Sequence, residues 1–406
     1  MTLTAERANE PAFLSRIVDL DSHEMIPSEF WTQEFGECGT LLKGLDAGIL
    51  ASAGDNTLMR DDITADDAPI TYETVRNRKG PSAPGAIDFG RRPEVLSAMG
   101  VDRQLAFPTF GLTGMMFVYN SRSPEIFGFD PNEMDRFAVG REMIRAHNDW
   151  CARVVRGVDA QRVRPVALLP TDSLEQMMRD AEAGLDAGIS AFWIPGSTPP
   201  AGTSPGDKAL DPFWRLMAES NATVTYHLGT EFGFLADTRW TSGVPQFANA
   251  SAETVEFNVE PYRCSVIHLM CDNFLSTLIL GGVFERHPNL RFGVIECAAH
   301  WAGPLADSLD LWYSQFRRRL DGPLSMKPSE YFARNIRVTP FHFEPVDEYI
   351  ERYPHLQDVY SYSSDYPHVE GGKDSVRGFY EKIKRLGDDI AEKFFVTNGA
   401  WLLPDR

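Results

Sequence analysis

Short β-type runs alternate with longer helical patterns along the chain, and this alternation restricts the fold more than any other feature. Eight runs can be counted, at residues 18–23, 104–108, 164–169, 191–195, 223–227, 291–296, 335–340 and 359–365. Eight is the number that a closed parallel barrel needs. Between the third and fourth runs, Leu174, Met177, Ala181 and Leu185 fall at helical spacing, with Asp172 placed to cap the helix and Gly188 to stop it. A second unit reaches residues 223–227 through DPFWRLMAESN, where Asp211 is expected to cap, Pro212 to open the helix, and Phe213, Leu216 and Met217 to form its buried stripe. A third passes from a helix around 274–284 into 291–296. Strand, helix, strand in repeated order is the pattern of α/β proteins.

The expected fold class is therefore α/β, a (β/α)₈ TIM-type barrel with long insertions after strands 1 and 5. Its 406 residues suit one such domain, 1–406, because barrels run longer than the usual domain length. Two stretches rich in Gly, Asp and Pro, 27–92 and 230–261, interrupt the alternation and are expected to cover the active-site face.

The formal charge of −19 sets up a field that repels phosphate backbones and anionic lipid, so neither nucleic acid nor a membrane surface is an expected partner. A small-molecule substrate is, and nothing in the composition opposes a homo-oligomer. Five cysteines lie at scattered spacings without a CxxC pair, which argues against a disulfide framework or a structural zinc site. With no basic-then-apolar leader at the N-terminus and no uninterrupted apolar span, a cytoplasmic location is expected.

Reactive residues of parallel barrels sit at the C-terminal ends of strands. Four runs end on a residue that can ligate a metal: the first on Asp21-Ser22-His23, the fifth on His227, the sixth on Glu296 and the eighth on Asp365. Side chains two apart on a strand point the same way, so Asp21 and His23 share a face and can chelate. A lone strand-end histidine is more often structural, and an aspartate before a helix more often a cap. Several carboxylates converging on one axis are different, since their burial is costly unless a cation compensates them.

The segments VDLDSHEMIP, TVTYHLGT, LILGGVFERHPNLRFGVIEC, YSSDYPHVEGG and FFVTNGAWLL resemble, in order, the successive signatures of the amidohydrolase-related family that includes the aminocarboxymuconate-semialdehyde-type decarboxylases. The resemblance runs through nearly the whole chain. It implies a (β/α)₈ barrel and a divalent metal held by Asp21, His23, His227 and Asp365. Two departures stand out. Many members carry His-x-His where this chain has Asp21-x-His23, and the related decarboxylases carry a strand-six histidine, their acid/base group, where this chain has Glu296.

Adding His268 and Glu296 to those four gives three imidazoles and three carboxylates, and the expectation is two divalent ions per chain. A mixed N/O set without thiolate suits Fe, Mn or Zn. The fourth run ends Phe192-Trp193-Ile194 and offers no lysine to bridge metals, and Cys297 is expected to face the helix layer. Asp365, Glu296 and His300 are the expected catalytic residues, with His368 and Glu370 behind them; His147, His287, His342 and His355 read as structural or surface histidines. Substrate is expected to enter over PTFGLTGMMFVYN and past Phe232, Phe234 and Trp240.

The loss of the strand-six histidine turns the expected reaction toward hydrolysis of an acyl bond (thioester, ester or amide) of a bulky apolar substrate by metal-activated water. Non-oxidative decarboxylation of an unsaturated or aromatic acid is the alternative. A non-catalytic ligand-binding barrel is a second alternative, opposed by the buried carboxylates.

Overall fold

The computed structural model describes residues 11–42, 65–130, 132–230, 237–247, 261–320, 322, 324–369 and 371–405. Three parallel strands, β1 (Ile17–Asp19), β2 (Val101–Ala106) and β3 (Val163–Pro165), pair in that order. Five more, β4 (Ala167–Leu168), β5 (Ala191–Trp193), β6 (Thr223–His227), β7 (Arg291–Ile295) and β8 (Ile336–Val338), pair in theirs, again all parallel. β3 and β4 are the two halves of the third expected run. The chain leaves one sheet and joins the next around Val166, whose N–H still donates to Ala106 O, while Leu169 N–H reaches Trp193 O.

The eighth expected run pairs by bridges rather than as a regular strand. Tyr360 bridges Val338, and Ser361 N–H donates to Val338 O. On the other side Leu20 N–H donates to Tyr362 O, Asp365 N–H to Asp21 O, and Tyr366 bridges Ser22. The run thus lies between β8 and the continuation of β1. Its ladder is broken because Tyr362 N–H turns out to Phe394 O and Asp365 takes a left-handed φ of 51°.

Every residue of β1, β5, β6 and β8 is buried, as expected of parallel strands covered on both faces. The helix Leu174–Asp186 buries Met177 and Ala181, and Gly188 turns the chain behind it with φ 92°. Ser173 caps this helix through Gln176 N–H, at 3.2 Å, whereas the expected cap, Asp172, pairs with Arg141. Asp211 likewise does not cap. It is the first residue of the helix Asp211–Glu219, and its carboxylate is taken by Arg286 at 2.8 Å and His287 at 3.2 Å.

PTFGLTGMMFVYN, expected to be a substrate-facing loop, is mostly the helix Phe110–Tyr119. It is apolar on nearly every side, so the molecule buries it, with Phe110, Met115, Phe117 and Val118 in the core. It crosses the helix Arg136–Gly157 at glycine against glycine: a Cβ on Gly114 would stand 2.9 Å from Gly140 O. The start of the 27–92 stretch is also ordered, as the helix Ser28–Phe35, whose Phe35 stacks on Phe110 at 4.0 Å. Among the described residues no helix is long and apolar enough to cross a membrane.

Candidate metal centre

The strand ends bring one group together. Asp21 and His23 follow β1, His227 closes β6, and Glu296 follows β7; one ligand atom from each lies within 4.8 Å of the others, and all four residues are buried. His227 Nε2 stands 3.3 Å from Asp21 Oδ1 and 3.1 Å from Glu296 Oε2, and His23 Nε2 stands 3.3 Å from Asp21 Oδ1. Asp365 approaches the same imidazole at 3.4 Å and forms a second group with His23 and His368, whose Nδ1 is 2.8 Å from Asp365 Oδ1. Glu296 and Asp365 both adopt positive φ, 55° and 51°. Non-glycine residues take that conformation at a cost, and functional sites are where such costs concentrate.

The donors fit a divalent cation. His227 Nδ1 lies 2.9 Å from Leu228 O, which can only accept, and its Nε2 faces the carboxylates of Asp21 and Glu296. Among the described residues, His23 Nε2 and Asp365 Oδ2 are buried without a hydrogen-bond partner. Burial, then the charges of Asp365 and Asp21, holds Glu296 well above the usual carboxyl range. Burial would lower His23, but Asp21 and Asp365 outweigh it and raise it well above the usual histidine value. Burial would raise Asp365 too, and there His368 and His23 win and hold it below the ordinary carboxylate range. Glu296 and His23 thus hold protons that a bound cation would displace, the behaviour of ligands that exchange protons for a metal.

A fully hydrogen-bonded layer that the sequence reading missed fixes these residues. Asp19, wholly buried and pushed up to about 7 by that burial, accepts from Gln104 Nε2 at 2.7 Å and from Ser364 N–H and Oγ at 2.8 and 2.6 Å. It ties the start of β1 to the segment carrying Asp365. Glu24 accepts from Thr109 and Phe110 N–H at 2.7 and 2.8 Å, at the start of the helix Phe110–Tyr119. Buried Arg92 donates to His23 O at 2.7 Å and fixes the backbone of that ligand. The signal for Asp19 was present in VDLDSHE, since it lies two residues before Asp21 and four before His23 on one alternation. Arg92 and Glu344 carried none. Glu344 accepts from Ala299 and His300 N–H, at 3.0 and 3.2 Å, and so shapes the turn after Glu296.

His268 does not join the metal group. It immediately precedes the helix Leu269–Leu280, and its ring packs edge-on against His300 at 4.9 Å, with Asp272 4.0 Å away. His300 lies with Glu296 along a cleft of about 710 Å³. His342, expected to be an ordinary structural or surface histidine, lines a small cavity with Asp21, Glu296 and Asp365. Cys297 is buried in the core. His147 bonds Val166 O at 3.0 Å, a structural role. Trp240 is 71% exposed; Phe232, Phe234 and Glu370 lie outside the described residues.

The family model for amidohydrolases matches residues 123–404. The chain belongs to the amidohydrolase family. Among solved structures, an amidohydrolase of Mycobacterium avium subsp. paratuberculosis K-10 superposes with a TM-score of 0.60 at 19% identity, covering 78% of this chain and 73% of that one. The 2,6-dihydroxybenzoate decarboxylase of Rhizobium gives 0.57 at 15%, covering 96% and 98%. The manganese-bound 5-carboxyvanillate decarboxylase of Novosphingobium aromaticivorans gives 0.57 at 17%, covering 95% and 96%. No curated protein sequence matches. The amidohydrolase fold is thus the (β/α)₈ barrel expected from the alternation of runs, with His227 and Glu296 at or just past the ends of β6 and β7.

Proposed function

We propose that this amidohydrolase-family chain is a metal-dependent decarboxylase of an aromatic or unsaturated carboxylic acid. The observation that carries the reading is a four-donor N₂O₂ group, Asp21, His23, His227 and Glu296, joined through His23 to a hydrogen-bonded couple, Asp365 and His368. Those four residues would hold one divalent ion, for which Mn, Fe or Zn suit the donors. When bound, such an ion neutralises and polarises the oxygens of an acid substrate.

The remaining work falls to the chain. Release of CO₂ breaks a carbon–carbon bond and leaves its electron pair on carbon, which must take up a proton to form the new C–H bond. Asp365 and His368, with Oδ1 and Nδ1 2.8 Å apart, would hold that proton and deliver it. Burial of the group keeps water from the developing charge, and the Asp19, Gln104 and Arg92 layer holds the segments bearing the couple and His23 without rearrangement. Decarboxylases among the solved structures that cover nearly the whole chain support the same reading.

Acyl-bond hydrolysis is the second reading. It is favoured by Glu296 standing where the related decarboxylases carry an imidazole, and by Asp365, held ionised and so able to take a proton from water. A panel of aromatic carboxylates, aryl esters and acyl thioesters, offered to metal-loaded and chelated protein, decides between them. CO₂ release matching carboxylate consumed, abolished by chelator and restored by Mn, is expected. Turnover confined to esters or thioesters would replace the first reading with the second.

A further inference from the structure

The helix Ala302–Gln315 carries an apolar stripe that the domain covers for only half its length. Leu305, Leu309, Trp312 and Phe316 are spaced four, three and four residues apart, which keeps them on one helix face, and Phe316 is the residue that ends the helix. Leu305 and Leu309 are 8% and 4% exposed and belong to the core. Trp312 and Phe316, next along the same face, are 51% and 50% exposed, and Leu311 beside them is 55% exposed. The two exposed rings stack only on each other, 26° from parallel with centroids 6.0 Å apart. An amphipathic helix ordinarily becomes polar where it leaves the core, and a stripe that stays apolar there is the mark of an interaction face.

The charges at the two ends of this face identify what would cover it. Asp307 lies ahead of Trp312, and Arg317-Arg318-Arg319, the only run of three basic residues in the sequence, follows Phe316. Asp310, between them, is already taken by Ser329 N–H and Oγ at 2.9 and 2.7 Å. Asp307, Arg318 and Arg319 are exposed, and none of the three makes an ion pair among the described residues. Acid, apolar centre and base in that order form a pattern complementary to itself when reversed. A two-fold axis beside Trp312 would run two such helices antiparallel, bring the exposed rings of the two copies together, and set Asp307 of each near Arg318 of the other. A chain of formal charge −19 repels its own copies in general, and these basic residues offset that repulsion at this face.

We propose that the helix Ala302–Gln315 is the contact face of a two-fold dimer, and that its partner is the same helix of a second copy of this chain, packed antiparallel across Trp312 and Phe316. The inference is independent of the reaction the metal centre carries out. A patch built on one helix belongs at the small end of specific interfaces, which bury about 800 Å² per partner, so association in the micromolar range is expected.

Sedimentation velocity on the full chain, from about 1 to 100 μM, tests it. A monomer–dimer equilibrium is expected, and Trp312→Glu should weaken it at least about tenfold. Asp307→Arg and Arg318→Asp should each weaken it by about tenfold, and the two together should restore it to within about threefold of wild type. All three positions are exposed, and unfolding curves matching wild type would confirm that each variant folds. A chain that stays monomeric throughout, or a dimer indifferent to Trp312→Glu, would overturn the proposal. Failure of the double charge swap to restore what the single swaps lose would overturn the antiparallel pairing with it. Vesicles of phosphatidylserine and phosphatidylcholine provide the remaining arm: a monomeric chain that binds them, and loses that binding in Trp312→Glu, would assign the face to a lipid surface instead.

Discussion

Two neighbouring regions of buried polar groups behave in opposite ways. In the layer around Asp19, Gln104, Ser364 and Arg92, the carboxylate oxygens of Asp19 accept from three residues and the guanidinium is shared among Gly85 O, Gln104 Oε1 and His23 O. In the group around Asp21, His23, His227, Glu296 and Asp365, equally buried, His23 Nε2 and Asp365 Oδ2 have no hydrogen bond among the described residues, and carboxylate charge stands beside carboxylate charge. Polar burial that is satisfied by hydrogen bonds makes a scaffold; polar burial that is not satisfied makes a binding site for something that supplies what is missing.

The largest effect should come from removing an unsatisfied donor. His23→Ala and His227→Ala are each expected to drop bound metal to a small fraction of the wild-type content and to lower turnover at least about a thousandfold, roughly 4 kcal/mol of transition-state stabilisation. Elemental analysis beside activity reads both. A variant retaining full metal and activity would break the comparison at its root. On the scaffold side, Asp19→Ala should act on stability, because Gln104 Nε2 and the Ser364 donors lose their buried acceptor. A loss of about 3 kcal/mol is expected from denaturant unfolding, with Asp19→Asn milder since it keeps one acceptor. An Asp19→Ala protein as stable as wild type would show that the layer is not the satisfied network described.

How much of this was legible in the sequence follows the same division. The barrel was readable because strands and helices repeat with their own periods, and Asp21, His23, His227 and Glu296 were readable because strand ends are where a barrel places its chemistry. His268 misled because nothing in CSVIHLMCDN fixes how far its segment stands from the strand ends, and the ring went to His300 instead. PTFGLTGMMFVYN misled in another way, since an apolar stretch rich in phenylalanine and methionine serves equally as a pocket wall or a core helix, and packing between Gly114 and Gly140 made it the latter. The scaffold was least legible. Arg92 reaches His23 O across 69 positions, and Asp19 reaches Ser364 across 345, separations that no local pattern records.

His368 lies between the two regions, tied to Asp365 yet outside the four-donor group. His368→Gln should keep bound metal at the wild-type level while lowering kcat by about 10- to 100-fold with a smaller change in KM, as expected for a group that orients or shares a proton with a reacting residue. Loss of metal in parallel with kcat would place His368 among the ligands instead, and would move the boundary between scaffold and site outward by one residue.

The smallest expected effect tests whether every unsatisfied buried group is functional. Among the described residues, Asp272 Oδ1 is buried without a hydrogen-bond partner, with His268 Nε2 4.0 Å from its other oxygen, and burial pushes its carboxyl up to about 7 from an ordinary value of 3.8. A carboxyl raised on folding holds its proton more tightly in the folded chain than in the unfolded one. The resulting penalty is absent at pH below about 4, grows between about 4 and 7, and is complete above that. A shift of this size in a sealed site would correspond to about 4 kcal/mol, but the side chain is 29% exposed and water screens it. Asp272→Asn, which removes the ionisation and keeps the shape, should therefore stabilise the protein by only about 1 kcal/mol at pH 8 and by nothing at pH 4. Unfolding curves at the two pH values measure the difference, and unchanged metal content and kcat would mark Asp272 and His268 as a cost of packing outside the metal group. Loss of metal or activity in Asp272→Asn would instead return His268 to the site and show that the unsatisfied region extends past His300.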